Sequence, residues 1–232
     1  MRKSALRVLC LLLLSGCGLF EPDPETWGMP ESQRGRAENA KFATLVDAYL
    51  AWHYAAHPVD ATLDGIHDYD DRLQDLSGTA IGAEVAAQRR WLDRLRALDR
   101  ALLSEDAAVD HALLETTIRA ALVDLEDVRS WEREPGVYVD MVSEGLYSLA
   151  ALRFASQEHR MELAARRLAQ VPAVLDAARA NLKNPPPILT HLAIGDAEGA
   201  KHFVEESLPA AFDGVKDESL RKRFDGPRRE AV

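Results

Sequence analysis

The sequence predicts an all-α protein, a multi-helix bundle or array. Apolar residues recur at three- and four-residue steps through most of the chain, the period of helices with one buried face. No segment alternates apolar and polar residues over the length of a strand. Alanine, leucine, arginine and glutamate, all good helix formers, dominate the composition. The length of 232 residues suits one domain or slightly more. A net charge of −10 argues against nucleic acid, which asks for a basic surface. It argues equally against an electrostatic hold on anionic lipid.

The first residues read as an export signal. Arg2, Lys3 and Arg7 form a basic start, and residues 8–14 are an apolar run too short to span a bilayer. The stretch Leu14-Ser15-Gly16-Cys17 resembles the lipobox of bacterial lipoproteins. That resemblance implies a signal peptide over residues 1–16 and lipid attachment at Cys17. Each buried methylene contributes about 0.8 kcal/mol, so several acyl chains hold a protein firmly at a membrane surface. Gly18 stands where an aspartate would suggest inner-membrane retention, so the expected address is the outer membrane, facing the periplasm. Cys10 lies in the signal and Cys17 is the lipid site, which leaves the mature domain no thiol for a disulfide or a cysteine-ligated zinc. Residues 17–39, with Pro22, Pro24 and Pro30 and no apolar period, read as a flexible tether. A helical domain follows over residues 40–232.

Its first helix is expected over residues 38–57, with Phe42, Leu45, Val46, Tyr49, Leu50 and His53 on one stripe. Pro58 ends it, because residues before a proline avoid the α region. Residues 59–63 suggest a helical turn and 65–71 a polar loop. A second helix is expected over 77–102, on the seam Ile81, Val85, Gln88, Leu92, Leu95, Leu98 and Leu102. Ser104 is an N-cap candidate for a third, followed by Glu105 and Asp106 where the helix dipole favours negative charge. This helix is expected to reach about residue 131. Its two apolar stripes, one through Val109, Leu113 and Val123 and one through Leu114, Ile118 and Leu125, predict burial around much of its circumference.

Pro135 and Gly136 break the chain. A helix over 137–152, interrupted near Gly145, comes next. Ser156 caps another that repeats from Met161 to Leu182, with a kink at Pro172. Asn184 and three prolines form a rigid connector or, less simply, a polyproline ligand. Residues 188–212 are expected to be helical with breaks near Gly195 and Gly199. The last helix, over 216–229, has Leu220 and Phe224 as its main apolar residues, and the pattern reads as truncated at the C-terminus.

Few residues carry a chemical signal. His53 and His57 lie four apart on a helix, but the intervening residues lack the glutamate of a zinc-peptidase HExxH helix. The plainer reading is core packing. His67, Asp68, Asp70 and Asp71 form an acidic loop without the spacing of a calcium loop. It is either a solvated turn or a wall of a substrate groove that receives a positive group. No catalytic or metal-binding residue is assigned within the chain.

Several stretches, in order, resemble the bacterial family catalogued as domain of unknown function 885. They are Val46-Asp47-Ala48-Tyr49-Leu50, His57-Pro58-Val59-Asp60-Ala61-Thr62 and Gly65-Ile66-His67-Asp68-Tyr69-Asp70. Further on are Ala180-Asn181-Leu182-Lys183-Asn184-Pro185-Pro186 and Leu208-Pro209-Ala210-Ala211-Phe212. The resemblance implies an almost wholly helical relative of gluzincin-type zinc metallopeptidases, whose HExxPGH-like metal motif lies in a C-terminal half. Nothing in this sequence matches that motif. The resemblance therefore implies the N-terminal helical part of such a fold, with zinc expected only in the missing half and no peptidase activity in this chain alone. The expected partners are the membrane, through the N-terminal lipid, and a peptide substrate or the missing half. The alternative is a non-catalytic helical lipoprotein that binds a periplasmic protein or peptide.

Overall fold

The computed structural model describes residues 32–232. The expected signal, the expected lipidation site Cys17 and the expected tether up to residue 31 lie outside the described residues. The described residues are all-α, without a strand.

Helix α1 spans Gln33–Ala56. It starts inside the stretch expected to be a tether, and three contacts explain why. Ser32 Oγ accepts from the Gly35 amide at 2.9 Å, an N-cap. Glu38 is buried and takes the Asp99 amide on Oε1 and Lys41 Nζ on Oε2, at 2.9 and 2.8 Å. Asn39 Oδ1 accepts from the Ser104 amide at 3.1 Å. Polar residues without an apolar period are thus clamped to a connection about 60 residues away. Helix α2, Pro58–Leu63, follows at once, with Pro58 in its first turn, where a missing N–H costs nothing. The loop after it contains a 3₁₀ turn, His67–Tyr69.

Helix α3 covers Gly78–Arg96, capped by Ser77, and helix α4 covers Glu105–Val123, capped by Ser104. The expected helix to residue 102 stops earlier, because Asp99 is extended and opens a separate turn, Arg100–Leu102. The expected helix to residue 131 also ends early. A π turn, Asp124–Val128, widens its end, Arg129 adopts left-handed φ 56°, and a short α5, Ser130–Arg133, restarts the chain. The burial predicted for α4 fails as well. Only His111 and Ile118 of this helix are buried, whereas Val109 is 63% and Leu113 43% exposed.

Helix α6, Gly136–Ala151, runs through Gly145 without interruption. The glycine serves close packing: a Cβ there would lie 2.8 Å from Leu73 Cδ2 and 3.1 Å from Val59 Cγ2. Helices α7, Gln157–Leu168, and α8, Val171–Asn181, replace the single kinked helix, and Pro172 falls in the first turn of α8. Ser156 caps α7. Helix α9, Pro187–His202, is not broken at Gly195 or Gly199. It passes into a π turn, Phe203–Ser207, and a one-turn α10, Leu208–Ala210. Helix α11, Glu218–Glu230, is capped by Asp217 and buries Leu220 and Phe224.

Two apolar clusters hold these helices. One joins α1, α3 and α4 through Phe42, Leu45, Tyr49, Trp91, Leu95 and Ile118. The other joins α2, α6, α7, α8 and α11 through residues such as Val59, Leu146, Leu149, Leu168, Val174 and Phe224. Fully burying one such side chain contributes about 1.5–3 kcal/mol. The chain from His57 to Leu76 crosses from the first cluster to the second. None of the described helices is long and apolar enough to cross a membrane.

Candidate functional site

The stretch from His57 to Asp71 connects the two cores, and each of its ends carries a polar cluster. At the far end the loop turns inward. Asp70 is buried, and its Oδ1 accepts from Thr62 Oγ1 at 2.6 Å. Its Oδ2 lies 2.9 Å from His67 Nδ1. The His67 ring stacks on Phe154 with centroids 3.9 Å apart. Behind Thr62 sits Arg167 of α7, wholly buried. Its guanidinium donates to Thr62 Oγ1 at 2.6 Å, to the Gly145 carbonyl at 2.5 Å and to Ser148 Oγ at 3.3 Å, while Nε has no partner. Burial pushes Arg167 down to about 10, against the pull of Asp70 and Asp71, so it stays cationic at neutral pH.

The acidic loop therefore divides. Asp70 points inward as the counter-charge of Arg167. Asp71 lies near the surface, 3.4 Å from Arg166 and 3.7 Å from Arg72. Asp68 is exposed. Gln170 clamps the loop to α7, donating to the Asp71 carbonyl at 2.8 Å and accepting from the Leu73 amide at 2.9 Å. The structure brings His67 and Asp70 into contact and holds Asp68 and Asp71 outward.

At the near end, His53 and His57 pack ring to ring, 4.4 Å apart. His57 Nδ1 is 3.2 Å from Gln74 Oε1, and Nε2 is 3.1 Å from Glu84 Oε1, on an oblique line of approach. His53 stacks parallel on Tyr49 and lies 3.8 Å from Asp60 Oδ2. Burial and the neighbouring His57 push His53 below its ordinary pKa. Burial also works against charging His57, but contact with Glu84 and the charges of Glu84 and Asp60 outweigh it and raise His57. His53 and His57, four residues apart on the helix, do not make a zinc-ligand pair. Both nitrogens of His57 face other side chains, and among the described residues no group of three or more His, Cys, Asp or Glu is placed to hold a metal ion.

Sequence reasoning missed Arg167 and Arg160. Arg160 donates to the Leu149 and Ala150 carbonyls, at 2.7 and 3.0 Å, and so closes the end of α6. The spacing held a signal for Arg167, which stands three residues after Ala164 and four before Val171, on a buried face.

A solved structure described as a "putative lipoprotein of unknown function" from Shewanella oneidensis resembles this chain with TM-score 0.70 and 21% identity. The match covers 82% of this chain and 35% of that one, so this chain spans about a third of that protein's length. At that identity the likeness is one of fold. No curated protein matches. The family model described as "Bacterial protein of unknown function (DUF885)" matches residues 58–232, three quarters of the sequence. The chain belongs to the DUF885 family.

Proposed function

We propose that the protein is a lipid-anchored component of the bacterial envelope, held by Cys17 at the outer membrane and facing the periplasm. Its helical domain is the non-catalytic N-terminal part of a zinc-metallopeptidase-like fold. The observation that carries this reading is family membership over residues 58–232, together with a structural neighbour of which the match occupies only 35%. A zinc hydrolase needs a metal to acidify a water and polarise a carbonyl, and the residues described here offer it no ligand set. The domain's task is then to wall a substrate cleft. The loop of His67, Asp68 and Asp71 lies at the surface for that purpose, and Asp70 anchors it from beneath. Two experiments test the reading. Purified full chain should not cleave peptides, and chelator-sensitive hydrolysis would overturn this. Cells fed an alkyne-tagged fatty acid should label the wild-type chain and not Cys17→Ser.

A second reading, a helical lipoprotein that binds a periplasmic protein or peptide, is favoured by one observation. The chain leaves apolar side chains open on α4 and α9, among them Val109, Ile188 and Leu192. A monomeric product that melts cooperatively supports this reading. Aggregation through those faces supports the first.

A further inference from the structure

A cavity of about 260 Å³ opens at the seam between the two cores, bounded by α3, the π turn, α5 and α6. Ligand sites favour such junctions and combine apolar walls with a few convergent polar groups. Ile81, Leu125, Trp131 and Met141 supply the apolar wall, and His57, Glu84 and Asp124 the polar groups. The backbone is irregular at the same place. The π turn carries Asp124, and Arg129 holds a left-handed φ of 56° that side-chain-bearing residues seldom adopt. Here the turn and the Arg129 reversal carry Trp131 to the wall, where its Nε1 donates to the Leu125 carbonyl at 3.0 Å.

The charges around the cavity do not balance. His57 is engaged with both Gln74 and Glu84. The Asp124 carboxylate accepts one hydrogen bond, from Ser130 Oγ at 2.5 Å. The nearby cations are spent elsewhere: Arg129 pairs with Glu132 at 2.6 Å and lies over the Trp131 ring, 5.2 Å from its centroid, and Arg89 pairs with Glu126. Two carboxylates and one imidazole thus line the cavity, with acceptor oxygens to spare beside an aromatic and aliphatic wall.

We propose that this cavity binds a ligand with an ammonium head on an apolar stem, the head between Glu84 and Asp124 and the stem against Trp131 and Met141. Such a group belongs either to a free alkylamine or to a lysine side chain of a peptide. The inference depends neither on the lipid anchor nor on the metallopeptidase reading.

The test is a titration of the full chain, followed by the Trp131 indole resonance, assigned with Trp131→Phe. The probes are hexylamine, its neutral counterpart hexanol, a short peptide with one lysine, and the same peptide with norleucine. Saturable binding of hexylamine at least tenfold tighter than hexanol is expected, weakened about tenfold in Glu84→Gln and in Asp124→Asn. Asp124 is exposed and its amide keeps the acceptor for Ser130, so that variant remains folded. Discrimination between the two peptides identifies a peptide lysine as the source, and amine binding without it identifies a free amine. Equal affinity for hexanol, indifference to both substitutions, or no saturable shift by any probe overturns the proposal.

Discussion

Arg167 and Asp70 are joined without touching: Thr62 Oγ1 stands between them, 2.6 Å from each. The hydroxyl accepts from the guanidinium and passes its own proton toward the carboxylate. A buried cation and a buried anion are thereby bridged through one neutral group that belongs to α2. The relay ties α2, the loop of residues 65–71 and α7 into one unit, and the Gly145 carbonyl adds α6.

Thr62→Val keeps the volume and removes the relay. It leaves a buried charge on each side with one bond fewer. We expect a loss of about 2–4 kcal/mol, in the range seen when one member of a buried polar network is removed. Thr62→Ser keeps the hydroxyl and should lose much less. Urea unfolding of both variants checks the difference, and a larger loss in Thr62→Ser than in Thr62→Val would show that packing by the methyl group, not the relay, is what matters.

Gly145 allows α6 to lie against the same unit. Gly145→Ala places a Cβ against Leu73 and Val59 and should destabilise by about 1–3 kcal/mol, the usual cost of overpacking. Trimming Leu73 to alanine in the Gly145→Ala background should recover part of that loss, as contacting residues are non-additive. The double-mutant cycle reads this directly, and strict additivity would place the strain elsewhere.

Local capping chemistry was legible in the sequence. Ser104 and Ser156 each cap the helix they were expected to cap, because a side-chain oxygen beside free amides is a short-range rule. Long-range facts were not legible. Glu38 and Asn39 look like tether residues until the Asp99 and Ser104 amides donate to their side chains. Gly195 and Gly199 look like breaks, yet α9 runs through both, since glycine in a helix costs only about 1 kcal/mol. Arg167 lies on a buried face, but a charged residue is read as exposed until its partners are seen. The near end of the site was read in part: His53 is packed as expected, whereas Glu84 and Asp124 carried no signal because nothing in their spacing ties them to His57.

The apolar stripe on α4 was misread as core, and this has a measurable consequence. Val109→Glu and Leu113→Gln should change unfolding free energy by no more than about 0.5 kcal/mol, as for surface positions generally. Ile118→Ala, one face away and wholly buried, should cost about 2–5 kcal/mol. Comparable losses at Leu113 and Ile118 would mean that the α4 face is covered in solution.

The two histidines at the near end should give stability opposite pH dependences. His57 is raised above its ordinary value of 6.5 in the fold. Its contribution is fully present below 6.5, where the unfolded chain is also protonated, and is lost as pH rises through the higher folded value. His53 is lowered. The unfolded chain takes its proton first, so its effect is absent above 6.5 and removes stability as pH falls from 6.5 toward the folded value. The groups facing the pair are Asp60 and Asp64 from the α2 side, Gln74 from the loop and Glu84 from α3. Proton NMR titration should show the His57 ring titrating above 6.5 and the His53 ring below it. Glu84→Gln should lower the His57 midpoint and flatten the alkaline loss of stability, whereas His53→Phe should flatten the acid loss alone. Two rings titrating together near 6.5, unaffected by Glu84→Gln, would mean that the His57–Glu84 contact does not hold a proton in solution.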